Sequence, residues 1–168
     1  MTTHPERQYF GKYRGTVVNT TDPEQRARLQ ALVPDVLGTQ SSTWALPAAP
    51  YAGPGAGFVA LPPVGAGVWI EFEQGNPDFP IWCGCWWGQN AELPVNSTSP
   101  GVNQITLATP GRHAVVISDA SGPLGGITLR TATGARITVS DGGISIDNGR
   151  GASITLTGNS VHITGVRV

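Results

Sequence analysis

The chain has 168 residues, 12% of them charged, and ten Lys plus Arg against eleven Asp plus Glu leave a formal net charge of -1. That balance excludes a chain held on nucleic acid by bulk phosphate neutralisation, and no apolar run approaches the ~20 residues of a membrane helix. Glycine (23) and proline (14) together are about twice as frequent as in an average domain, which indicates an all-β chain with many turns.

The N-terminal MTTHPERQYF lacks the apolar segment of a secretory signal, so synthesis in the cytoplasm is expected. The first expected strand is KYRGTVVN from Lys12. The stretch TDPEQRARLQALVP that follows supports two readings. Asp22 as N-cap, Pro23 at the first helical position and Gln25 would start a helix. Alternatively, a DP turn leads into a strand with Ala27, Leu29 and Ala31 inward and Arg26, Arg28 and Gln30 outward. Further strands are expected at GFVAL from Gly57, at GVWIEFE with Val68, Ile70 and Phe72 on one face, and at PIWCGCWW from Pro80. LPPVGAG and EQGNPDFP supply the turns between them. The only cysteines, Cys83 and Cys85, stand two apart on that last strand, with Cα atoms about 6.6 Å apart and side chains alongside one another. They are read as small apolar side chains on a buried face rather than as a disulfide or metal pair.

Composition then changes. All twelve aromatic residues lie between Tyr9 and Trp87, whereas Gly101 to Val168 has no aromatic residue, Cys, Lys or Glu. The division expected is an N-terminal unit of short strands over 1–89, a linker over 90–101 and a second unit over 102–168. In the second unit apolar-x-apolar triplets recur: Ile105 and Leu107, Val115 and Ile117, Ile127 and Leu129, Ile137 and Val139, Ile144 and Ile146, Ile154 and Leu156, Val161 and Ile163. Triplets starting at 127, 144 and 161 are spaced by 17, as are those at 137 and 154, and Gly134-Ala135 returns as Gly151-Ala152. This is the signature of a stacked β architecture.

Each triplet turns its outer residues to one face and its middle residue, usually Thr or Ser, to the other. Strands of three residues with no aromatic to fill space bury too little to offset the ordering of so glycine-rich a chain. Intertwining with copies of itself is the remedy expected, with these fourteen apolar residues on a common axis and strand edges paired between chains. A three-sided prism of seven layers would be roughly 34 Å long at ~4.8 Å per strand.

The residues resemble a family, the phage baseplate assembly protein V and VgrG spike proteins of contractile tails and injection systems. The likeness rests on Gly15 and Val17 within GKYRGTVVN, Asp22-Pro23 with the alternating run to Pro34, and Trp44. Above all it rests on the sequence from Gly57 to Gly84, which includes Pro62, Gly65, Val68, Trp69, Ile70, Phe72, Gly75 and Pro80. The resemblance implies an OB-fold barrel followed by a trimeric, intertwined β-helix needle at the centre of the baseplate, and it favours a strand over 26–33. It implies a structural, non-enzymatic role in which sheath contraction drives the needle through a target membrane. It implies as partners two further copies of the chain, baseplate hub and tail-tube proteins, a PAAR-type tip protein and effector cargo. No cofactor or metal is expected: the His-x-His pair that binds iron in some relatives is matched only by His162-Ile163-Thr164. The chain is too short for a lysozyme insertion or for the VgrG hub domains, and its end at GVRV leaves the tip to another protein.

Other constellations are weak. His4, His113 and His162 stand apart without a catalytic motif. Glu71 and Glu73 share a strand face and read as solvated or paired with Arg. Asp141-Gly142-Gly143 and Asp147-Asn148-Gly149 read as turns, short of the calcium-binding nonapeptide. The five tryptophans offer an alternative, an OB module for nucleic acid or glycan on a trimerising stalk. Against it, residues 1–100 hold five Lys plus Arg and eight Asp plus Glu, so the tryptophans are read as barrel core and packing surface.

Overall fold

Strands of two to seven residues, cut short by glycine and proline turns, carry the fold across residues 7–94 and 101–165, which the computed structural model describes. His4, half of the expected linker (95–100) and the chain end from Val166 lie outside the described residues. Two units divide after Glu92.

The first unit contains β1 (Tyr13–Asn19), β2 (Gln30–Leu32), a single helical turn α1 (Pro34–Leu37), β3 (Leu46–Pro47), the small hairpin β4 (Ala52–Gly53) and β5 (Ala56–Gly57), β6 (Gly67–Phe72) and β7 (Pro80–Trp86). The main sheet runs β2-β1-β6-β7-β3. It closes on itself where Leu29 N–H donates to Ala45 O at 3.2 Å and Ala45 N–H donates to Leu29 O at 2.8 Å. The buried Ser42 lies beside this seam, accepting from Ala31 N–H at 3.1 Å and donating to Thr43 O, so its hydroxyl is satisfied. In β6 the alternation read from the sequence holds: Val68, Ile70 and Phe72 are buried, and Trp69 and Glu71 are half-buried on the other side.

The barrel interior is aliphatic apart from Phe72: Val17, Leu29, Ala31, Val33, Ala45, Val68 and Ile70 fill the rest. Space is so tight that a Cβ on Gly15 would sit 3.0 Å from Ile70 Cγ1. The expectation of a tryptophan core is therefore corrected: no tryptophan is among the buried residues of the barrel. Trp82 only packs against the core from its margin and donates from Nε1 to Ala27 O at 3.2 Å.

Four local readings change. Residues 22–28 form a turn rather than a helix or a strand, and strand pairing begins only at Leu29. Left-handed backbone at Gln25 (φ 54°) and Ala27 (φ 58°) breaks both periodicities. GFVAL is not a strand beyond Gly57, since two prolines follow it and remove ladder donors. Glu73 lies in a tight turn past the end of β6, so it does not share a strand face with Glu71. A bulge in β7, where Gly84 has φ 142°, separates the cysteines: Cys83 is half-buried, Cys85 is exposed, and both are free.

The second unit is one antiparallel meander of seven strands in sequence order: β8 (Gln104–Ala108), β9 (Ala114–Ser118), β10 (Gly126–Arg130), β11 (Arg136–Ser140), β12 (Gly143–Asp147), β13 (Ser153–Thr157) and β14 (Ser160–Thr164). Seven strands match the seven triplets, each extended to five residues. Their pairing corrects the expectation of backbone hydrogen bonds between chains: every ladder closes within one chain. Short turns make the neighbouring strand the cheapest partner in loop-closure entropy.

The 17-residue period is one hairpin plus its two turns. Its glycines allow neighbouring turns to stack: at Gly149 (φ 69°) a Cβ would lie 2.8 Å from Gly134 C and 2.9 Å from Ala135 N. Gly149→Val is expected to destabilise the sheet by about 2 kcal/mol, from left-handed strain plus overlap. The midpoint of thermal unfolding measures it, and an unchanged midpoint would refute the stacking argument.

Candidate functional site

In-register pairing converts the triplets into two continuous files along the sheet. One runs Ile105, Ile117, Ile127, Val139, Ile144, Leu156, Val161, and the other Leu107, Val115, Leu129, Ile137, Ile146, Ile154, Ile163. Between them, on the opposite face, runs Thr106, Val116, Thr128, Thr138, Ser145, Thr155, His162. Apart from half-buried Val115, each apolar file residue keeps 38 to 62% of its surface exposed in the single chain. Thirteen large aliphatic side chains on one uncharged face form a patch far beyond what a monomer ordinarily leaves to water.

The outer wall of the barrel carries a second surface. Arg14 on β1 lies opposite Trp69 on β6, and its guanidinium carbon is 5.8 Å from the Trp69 ring centroid and 5.2 Å from that of Trp86. The Trp86 ring lies over Gly67, where a Cβ would come within 2.6 Å of it, and its Nε1 donates to Val68 O at 3.2 Å. Next to them Lys12 Nζ donates to Glu71 Oε1 at 2.6 Å and to Cys83 Sγ at 3.1 Å, which holds the ammonium above its ordinary pKa. A patch of this kind can pack against protein, but its ring faces are already occupied by a cation.

Inside the turn at 22–28, Asp22 gathers the backbone N–H groups of Glu24, Arg26 and Arg28 at 3.0, 2.7 and 3.3 Å. Arg28 adds a two-pronged bridge from Nε and NH2 at 3.1 and 2.6 Å. The Arg28 guanidinium beside it, with these N–H groups, holds the Asp22 carboxyl well below the usual carboxylate range. Arg28, read as outward from the sequence, has a side chain only 11% exposed, and it lies under the ring of Trp44. Among the described residues no three His, Cys, Asp or Glu side chains group as metal ligands. His113 lies beside the β8–β9 turn, and His162 in the middle file faces away from the aliphatic side. No helix among the described residues is long and apolar enough to cross a membrane.

Two family models match the chain. Residues 13–87, which span β1 to β7, match a type VI secretion system/phage-baseplate injector OB domain. Residues 104–167, from the start of β8, match the phage baseplate V C-terminal trimerisation domain. The chain belongs to the phage baseplate V/VgrG-type spike family. A type VI secretion system spike protein, VgrG4b of Pseudomonas aeruginosa, is 36% identical over 76 residues, 43% of this chain and 9% of that protein's own length. The chain therefore spans about a tenth of that relative.

Within the family framework, the barrel is the OB domain and the meander is the trimerisation domain, so the exposed files belong to the unit that joins three copies. The family-motif residues serve local geometry. Gly65 (φ 89°) and Gly75 (φ 78°) take left-handed turns, Pro62 and Pro80 are buried, Pro34 starts α1, and Pro23 sits in the Asp22 turn. What the sequence reading missed are the partners Arg28, Arg14 and Lys12. Arg28 reaches across six residues and Lys12 across 59 and 71, and no spacing rule joins them.

Proposed function

We propose that the protein is the central spike of the baseplate in a contractile phage tail or a related injection particle. Three chains turn their aliphatic files onto a threefold axis, with the strands across the axis, and form a narrow prism. The observation that carries this reading is the pair of seven-residue apolar files left exposed by a sheet whose five inner strands are already paired on both sides. Apart from the outer edges of β8 and β14, what remains to be covered is this side-chain face, and further copies of the same face cover it. The trimerisation-domain match supports the same arrangement.

A needle of this kind works by stiffness. Contraction supplies the force, the prism concentrates it on a small area of target envelope, and the chain itself acts without catalysis, cofactor or nucleic acid. Hub and tube proteins dock around the OB domains, where the Arg14, Trp69 and Trp86 wall offers an aromatic, cationic surface, and a PAAR-type protein caps the tip. Effector cargo is attached to one of these partners. A nucleic-acid-binding role finds less support, because Arg14 occupies the ring faces that bases would need.

Native mass measurement tests the assembly: about three times 17.5 kDa is expected, and a stable monomer at micromolar concentration would overturn it. Electron microscopy of particles carrying a tagged chain is expected to place the tag at the baseplate end, on the particle axis.

A further inference from the structure

We infer that charge segregation between the two edges of the seven-stranded sheet sets how neighbouring copies meet, with the arginine edge of one chain facing the aspartate edge of the next. The inference rests on the trimeric reading above and adds to it the residues that fix the order and direction of closure.

The register puts the ends of all seven strands at two edges. At one edge stand Arg112 in the β8–β9 turn, Arg130 and Arg136 at the facing ends of β10 and β11, Asp147 on β12 and Arg150 in the β12–β13 turn. Opposite are the β9–β10 turn with Asp119 and the β11–β12 turn with Asp141. Among the described residues of this unit all four arginines are at the first edge, for a formal +3, and the second edge carries -2 with no cation.

One chain alone leaves the first edge poorly balanced. Arg130 and Arg136 are direct cross-strand partners, and like charges so placed repel. Asp147 engages Arg136 at 3.2 Å, while the Nε of half-buried Arg130 has no hydrogen-bond partner. The same edge holds a shallow depression lined by Gly134, Arg136, Asp147, Gly149, Gly151, Ser153 and Thr164.

Rotation about a threefold axis brings unlike edges together, because each copy presents its first edge to the second edge of its neighbour. Rotation involves no shift along the axis, so equal strands stand at equal height. Asp119, between β9 and β10, then stands within about one strand spacing in height along the axis of Arg130 at the end of β10, and Asp141 within the same height of Arg136 and Arg150. A two-fold dimer that set arginine edge against arginine edge would be repelled.

Subunit exchange between tagged and untagged full-length chains at low ionic strength tests this. The aspartate edge is reversed with Asp119→Lys and Asp141→Lys, and the arginine edge with Arg130→Glu and Arg150→Glu. Each reversed chain is expected to exchange about tenfold faster than wild type, with the difference shrinking at high salt. A chain with all four substitutions, whose edges again carry opposite charge, is expected to return toward the wild-type rate and to exclude wild-type chains from mixed trimers. This rescue separates charge pairing from misfolding. Exchange of both reversed chains within twofold of wild type would overturn the inference and leave the trimer standing, as would failure of the four-substitution chain to recover while it remains folded by circular dichroism. A monomeric wild-type chain would instead remove the trimeric reading itself.

Discussion

Ile137→Asp is expected to abolish assembly of the trimer, whereas Thr138→Asp, one residue along the same strand, leaves it intact. Ile137 lies in an aliphatic file between Leu129 and Ile146. Three copies of the substitution would bring three carboxylates together in an apolar interior with no cation and no donor. Burial of an unpaired carboxylate costs about 3 kcal/mol or more per chain after relaxation, and mutual repulsion adds to it. Thr138 points the other way, between Thr128 and Ser145, where a carboxylate stays hydrated at about 1 kcal/mol or less. Sedimentation of the two variants is the check. Equal behaviour, whether both trimeric or both monomeric, would contradict the assignment of faces.

A second large effect is expected at Asp22. Replacement by Ala removes the enclosed anion beside Arg28 and leaves that guanidinium with only the exposed Glu24 carboxylate, at 3.1 Å, along with three backbone N–H groups without an acceptor. The left-handed backbone at Gln25 and Ala27 is held in place by these bonds, so the 22–28 turn is expected to open and the OB domain to unfold several degrees earlier. The pH dependence follows from the depressed carboxyl. Unfolded, Asp22 protonates near the ordinary value of about 3.9; folded, it protonates only at much lower pH. Its stabilisation is therefore fully present above about pH 4 and is lost as pH falls toward the folded value. Between pH 5 and pH 3 the midpoint of barrel unfolding is expected to fall more steeply in wild type than in Asp22→Asn. Parallel pH profiles would show that the bridge does not stabilise the fold.

The two effects differ in how visible they were. Ile137 and Thr138 were assigned to opposite faces from alternation alone, because side-chain direction in a strand depends only on parity. Asp22 was correctly singled out as a residue that captures backbone N–H groups, but the same capping chemistry serves a helix and a turn. The choice fell to φ values at Gln25 and Ala27 that propensity does not foretell. Tryptophans present a similar limit. Their number suggests a core, yet Trp69 falls on the outer side of β6 by alternation, and Trp86 and Trp87 likewise stay out of the buried interior. The bulge at Gly84, which undoes the shared face of Cys83 and Cys85, is likewise a one-residue register choice made by the pairing of β6 with β7.

Sequence by itself determined the all-β class, the change of character between two units, the seven strands of the second and the fourteen residues of its apolar face. These follow from composition and from a period of two, which are local properties of a chain. Tertiary structure alone decided that each sheet pairs its own backbone, that arginines and aspartates collect on opposite edges, and that Arg28 turns inward to Asp22. Those outcomes depend on which strand lies beside which and in what register, and the free energy that selects them comes from groups far apart along the chain.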